Sequence, residues 1–274
     1  MNHSPTPCKG DAAPEQAARP TSRAVMEFIR QFSASLLAAG GRTTRVDRTA
    51  SRIARAYGYD VELAIFTRHY TLSIYRMDNP DRGRHTAVCP CAPDSPNFAH
   101  VTQLNRLSWR IADEGLPLDA AWREYSTICA LPGINPLLLP LLVACANACF
   151  CGLFAGDAVA MAFTGVATWL AFNLRQKLLH WGMDAKLTFF LCALAASLVA
   201  SLDLLLHVGS TPQTGMAASV LFLIPGVPLI NSMMDLLDGH FLMGIARFLH
   251  AGILILCIAL GLGVTMMLVG VTTL

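Results

Sequence analysis

From Val25 onward the apolar residues Val25, Phe28, Ile29, Phe32 and Leu36 recur at three- and four-residue steps, the spacing of one helix face. Ala39, Gly40 and Gly41 stop that helix. A second helix follows, with Val46, Ala50, Ile53, Ala54 and Tyr57 inward and Arg45, Arg48, Arg52 and Arg55 outward, and Gly58 ends it. The arginine stripe reads as a solvated face, or as a mouth that concentrates anions. Residues 60–67 and 70–75 then alternate and carry β-branched and aromatic side chains, which predicts two strands joined by a short turn. A third strand is expected near 85–89, and helical spacing returns over 98–112 and 120–130. Residues 22–130 therefore read as a small α/β domain, long enough for its own core.

Past residue 130 the pattern changes. Apolar runs of about 20 residues, the length that spans a bilayer core, occur near 134–155, 158–174, 187–208, 216–237 and 246–272. Residues 131–274 thus predict an all-α membrane bundle of about five spans. The loop after the first run has no Lys or Arg, whereas the loop after the second carries Arg175, Lys177 and Lys186. The loop after the third has none, and the one after the fourth ends in Arg247. This alternation places the amino-terminal domain in the cytoplasm and the carboxyl terminus outside.

Composition sharpens the division. Of 38 charged residues, 29 fall in 1–130 and 9 in 131–274. The net charge is +2 with no long acidic or basic tail, so nothing points to nucleic acid. Residues 1–21 are rich in Pro, Ala and polar groups without an apolar core, which predicts a disordered lead and not a secretory signal. Five of the nine cysteines (Cys145, Cys149, Cys151, Cys192 and Cys257) lie in apolar runs, where a thiol behaves as a small hydrophobe. Cys89 and Cys91 form a lone C-P-C without a second pair at zinc spacing, so neither a metal nor a cofactor is expected. Phosphate-loop, G-x-S-x-G and H-E-x-x-H motifs are absent.

Candidate chemistry centres on the fourth run. Pro225, Gly226 and Pro228 interrupt it, and Asn231, Asp235 and Asp238 follow on one helix face. In hydrocarbon a broken helix survives only where protein or a water-filled cavity satisfies its backbone, and transporters bind substrates and ions at such breaks. Asp238 also reads as a solvated carboxylate at the cytoplasmic edge. Asp203 lies within the third run, four residues before His207. A mid-membrane acid costs roughly 2.5–3.5 kcal/mol, which suggests a proton relay or substrate contact. Yet Asp203 is only about 9 Å of helix from Gly209, close enough to meet interfacial water. Asn147 and Asn173 are weaker candidates, because an amide can simply bond a neighbouring helix. Gly152, Gly156 and Gly165 read as packing positions. An enzyme using Asp203 and Asp235 as an acid pair, or a sensor anchored by plain spans, are the competing functions. The opposite ends assigned to the two acids argue against the first. The broken helix argues against the second.

Residues 217–248, AASVLFLIPGVPLINSMMDLLDGHFLMGIARF, resemble the signature of the threonine/serine exporter (ThrE-like) family. GGRTTRVDRTASRIARAYG (40–58) resembles the family's opening helix, and LVACANACFCGLFAGD (142–157) its first span. The resemblance covers residues 24–274 and carries over Pro225, Gly226, Pro228, Asn231, Asp235, Gly239, Gly244 and Arg247; Asp203 matches no family position. It implies a secondary exporter of small carboxylates (succinate-like) or of amino acids such as threonine and serine. Long members fuse two five-span units, whereas split members rely on a separate partner. A chain stopping at Leu274 is therefore expected to need a small second membrane subunit (YjjB-like) in a bacterial inner membrane.

Overall fold

The computed structural model describes residues 20–78, 84–91 and 96–270. The expected disordered lead lies outside that range apart from its end, where Thr21 caps the first helix. The described chain is mostly helical and forms two compact units. One holds the residues up to Gly41 with Arg45–Cys129, and the other holds Arg42–Thr44 with Ala130–Leu274.

In the first unit, α1 (Ser22–Ala38) buries Val25, Phe28, Ile29, Phe32 and Leu36, the face that the spacing singled out. Helix α2 (Thr43–Ala56) buries Val46, Ala50, Ile53 and Ala54. Strands β1 (Tyr59–Ile65), β2 (His69–Arg76) and β3 (His85–Pro90) pair antiparallel in that order, so the domain is an α+β meander without a parallel crossover. Val61 stands opposite Ile74 and Tyr70 opposite Cys89, which puts alternate apolar residues on the core face. Helices α3 (Phe98–Glu114) and α4 (Leu118–Cys129) complete the core. Phe28 meets Trp122 edge-on at 5.1 Å, a favourable aromatic geometry. One arginine leaves the expected solvated stripe: Arg52 donates to Ser108 Oγ at 2.7 Å and lies 3.6 Å over the Trp109 ring.

The second unit contains α5 (Leu138–Leu153), α6 (Ala158–His180), α7 (Ala185–Ala200), α8 (Leu202–Leu206), α9 (Pro212–Ala218), a 3-10 turn (Leu221–Leu223), α10 (Gly226–Leu237) and α11 (Phe241–Val269). Of the five expected spans, three helices are long and apolar enough by themselves: α6, the continuous Ala185–Leu206, and α11. A fourth exists if the bent pair Pro212–Leu223 and Gly226–Leu237 is one broken span. The run expected at 134–155 yields only the 16 residues of α5, about 24 Å of helix. Pro132, Gly133 and Pro136 explain the shortfall, because they hold the preceding chain out of helical geometry.

Small and polar residues hold these helices together, as membrane packing requires. Asn147 donates to Thr168 Oγ1 at 2.6 Å and to the Ala218 carbonyl at 3.1 Å, tying α5 to α6 and α9. Thr164 donates to the Gly215 carbonyl at 3.0 Å, and Ser197 bonds Thr265 across α7 and α11 at 2.6 Å. A Cβ on Gly261 would stand 2.6 Å from the Phe190 carbonyl, so only glycine permits that approach of α11 to α7.

Candidate transport site

Helix α10 restarts at Gly226 with Pro225 as its N-cap, and the chain bends by 60° there. The break falls where Pro225, Gly226 and Pro228 place it, but its mechanism differs from the one the prolines suggest. N-cap and third-residue N–H groups have no partner one turn back in any helix, so neither proline removes a helical hydrogen bond. The interruption lies just before them. The Gly226 N–H turns to the Ile224 carbonyl at 2.8 Å, and the Leu229 N–H reaches the Pro225 carbonyl at 3.1 Å. Among the described residues no backbone N–H reaches the carbonyls of Phe222 or Leu223. Gly226 has open space where a Cβ would stand.

Two turns beyond the break, Asp235 is wholly buried. Its carboxylate accepts from Arg247 Nη1 at 2.6 Å, from Thr43 Oγ1 at 3.2 Å and from the Thr43 N–H at 3.3 Å. A buried charge is tolerated when it is paired and hydrogen-bonded, and here it is both. The turn that brings Arg247 back is specific. His240 N–H donates to the Asp235 carbonyl at 2.8 Å and Gly239 N–H to the Leu236 carbonyl at 3.1 Å, a Schellman end to α10. Gly239 supplies the left-handed φ of +84° that this end demands. Gly244 lets α11 close onto α10, since a Cβ there would stand 2.7 Å from Leu236 Cγ.

The remaining candidates divide. Asn231 is half-buried one turn before Asp235 on α10. Asp238 is exposed, in keeping with an edge carboxylate, although it accepts from Thr44 Oγ1 at 2.5 Å. Asn147 is a helix-to-helix tie, and Asn173 bonds the Trp169 carbonyl of its own helix at 2.7 Å. Asp203 does not reach water: it is 1% exposed, its Oδ1 accepts from the Gly209 N–H at 2.7 Å, and its Oδ2 has no partner. Among the described residues its carboxylate takes no bond from the His207 ring, which turns to the Leu205 carbonyl; only the His207 backbone N–H reaches the Asp203 carbonyl, where α8 ends at φ 55°. Asp203 and Asp235 thus have separate partners and do not form an acid pair.

Sequence reasoning missed Thr43, which sits inside the quoted 40–58 block but carries no charge to draw notice. It also treated Arg175 as loop charge, whereas the structure places Arg175 within α6.

Three apolar helices of spanning length, with a bent helix pair whose second half carries a buried ion pair, mark a multi-pass membrane protein. The chain belongs to the putative threonine/serine exporter family, whose profile matches residues 27–269. It is 31% identical over 265 residues to a probable succinate transporter subunit YjjP of Klebsiella aerogenes, covering 93% of this chain and 98% of that one. With the corresponding Escherichia coli K12 protein it shares 32% over 254 residues, 87% of this chain and 92% of the relative. A probable threonine/serine exporter of Mycobacterium tuberculosis is 24% identical over 240 residues, 85% of this chain but 45% of the relative. No solved structure matches the chain significantly. The family and its relatives are transporters, so the protein is an exporter and not an enzyme.

Proposed function

We propose that this protein is the larger subunit of a two-subunit secondary exporter that moves small carboxylates or amino acids out of the cytoplasm. The observation that carries the reading is the break at 225–228, where among the described residues no backbone N–H reaches the Phe222 and Leu223 carbonyls and α10 begins within an otherwise apolar helix pair. The partner is a small second membrane subunit. The word "subunit" in the names of two relatives supports it. The protein sits in the bacterial inner membrane with its α+β domain in the cytoplasm. Pro225, Gly226, Pro228 and Asn231 contact the substrate or a coupled ion, and Asp235 with Arg247 holds the segment beyond the break.

Energetics separate the candidate substrates. A dianion such as succinate leaving an inside-negative cell gains about 4.6 kcal/mol per 100 mV, so it needs no proton coupling. A zwitterion gains nothing from the potential and needs proton antiport to be concentrated outside. Substrate efflux from vesicles, with the second subunit present and absent, tests the reading under imposed potential and imposed pH gradient separately. Efflux should appear only with both subunits. Robust efflux from this chain alone would replace the partner by a homo-oligomer.

A further inference from the structure

The carboxylates and arginines of the membrane unit are almost fully accounted for. Residues 130–274 contain five aspartates, no glutamate and two arginines. Asp157 is bound by Ser210 and Thr211, Asp184 caps α7, Asp203 holds Gly209, and Asp238 holds Thr44. Asp235 takes Arg247. Among the described residues Arg175 has no carboxylate in ion-pair contact. Its guanidinium carbon lies 5.8 Å from the Phe172 ring centroid and 5.4 Å from that of Phe189. Its Nε is buried and has no hydrogen-bond partner.

This is an unusual place for an arginine. The group stays charged under all physiological conditions. A buried donor with no acceptor costs free energy, and two aromatic faces offset only part of that cost. An arginine at a helix end commonly snorkels to water. Arg175 stands five residues, about 8 Å, before the end of α6; the residue is half-buried, yet its Nε is buried beside the two rings without a partner. The enclosure leads to the break. Phe172 meets Phe222 of the 3-10 turn at 6.2 Å, and Phe189 packs in one cluster with Val220 and Leu223.

We infer that Arg175 is an anion-binding residue that receives a carboxylate of the transported substrate beside the broken helix. The inference rests on the exporter reading and narrows its substrate class. A guanidinium presents a fork of donors that matches a carboxylate, so a bound anion satisfies Nε and the charge together. Among the described residues no carboxylate pairs with Arg175, so none is placed there to receive an ammonium group. The site therefore favours a dicarboxylate over a zwitterionic amino acid.

The test uses the full chain with its second subunit, in nanodiscs of phosphatidylcholine alone for binding and in vesicles of the same lipid for efflux, with succinate and threonine as probes. Succinate should bind the wild type, and Arg175→Met should weaken that binding by about thirtyfold or more. Arg175→Lys, which keeps the charge without the fork, should fall between the two. Without ligand, Arg175→Met should melt no lower than the wild type, because it removes a buried Nε donor that has no acceptor. A residue present only to stack on Phe172 and Phe189 would instead lower the melting temperature and leave binding unchanged. If Arg175→Met does not fold, peptide-resolved phenylglyoxal modification of the wild type decides: succinate should protect Arg175.

Equal succinate binding by Arg175→Met would overturn the inference. So would protection by phosphatidylglycerol but not by succinate, which would make the acceptor a lipid phosphate. Efflux of threonine without any dicarboxylate binding would overturn it while leaving the exporter reading intact. Absence of all efflux, with succinate binding that still depends on Arg175, would sink the exporter reading and keep the site.

Discussion

Asp235 and Arg247 stand 2.6 Å apart across the turn that joins α10 to α11, the aspartate wholly buried and the arginine side chain 19% exposed. The asymmetry of burial decides which partner matters more. Arg247→Met leaves an enclosed carboxylate with only Thr43 as donor, and should cost about 3–5 kcal/mol. Asp235→Asn keeps an acceptor for Arg247 and leaves a cation that can still reach water, so its cost should be about 1–3 kcal/mol. Asp235→Leu combined with Arg247→Met should be more stable than Arg247→Met alone. Thermal unfolding of the four proteins in detergent checks the order. A double variant no better than Arg247→Met would show that the pair does not act as a unit.

A second carboxylate ties together two loops of the same unit. Asp157 caps α6 through the Ala160 N–H at 2.8 Å and accepts from the Ser210 N–H at 2.7 Å, the Ser210 hydroxyl at 2.9 Å and the Thr211 hydroxyl at 3.1 Å. These donors, the backbone N–H of Ser210 first, push its carboxyl down to about 2. Because the folded value is depressed, the clasp contributes fully above the ordinary aspartate value of 3.8 and is lost as pH falls through about 2. Melting of the wild type should drop more over that window than melting of Asp157→Asn. Parallel curves would mean that the clasp adds no pH-dependent stability.

The loop charges make a topological prediction. A reporter within residues 176–186 should face the cytoplasm, and one after Leu274 should lie outside. A reporter at Gly156 tests the short helix α5: it should lie outside, opposite one at Ala130, if 16 residues suffice with local thinning of the bilayer. Finding both on one side would make α5 a half-span and reverse the side of one chain end.

Much of the fold was legible because its signals are periodic. The α1 face from Val25 to Leu36 and the β2 alternation of Tyr70, Leu72 and Ile74 appear in the core as spaced. The motif residues Asp235 and Arg247 were both selected, but their pairing was not, since residues twelve apart meet only if the helix ends at Gly239. Thr43 was invisible for a related reason: its contact with Asp235 spans 192 residues, and a neutral hydroxyl gives no pattern. Arg175 was misplaced because helix α6 runs six residues beyond the apolar window that ended at 174. Lys177 and His180 in its last turn suit a helix C-terminus and so extend α6 past the hydrophobic limit.

The break itself carries the last prediction. Helix-interior proline costs about 3 kcal/mol relative to alanine, so prolines inside α10 would make a double alanine variant more stable. Pro225 and Pro228 instead occupy the N-cap and first turn, where proline is well tolerated. Replacing both with alanine should therefore change stability by less than about 1 kcal/mol. The variant nevertheless regains N–H donors at 225 and 228, which in a continuous helix pair with the carbonyls of Leu221 and Ile224 and bring the Gly226 and Val227 N–H groups to those of Phe222 and Leu223. If those carbonyls serve the substrate or a coupled ion, helix growth back through residue 224 should satisfy them and abolish efflux while yield and melting hold. Asn231→Leu should show the same separation of folding from transport, and Asp238→Asn, on an exposed edge, should lose little of either. Normal efflux from the double alanine variant would make the 60° bend a packing feature, and the site would then have to be sought at Arg175 and Asp235 without the break.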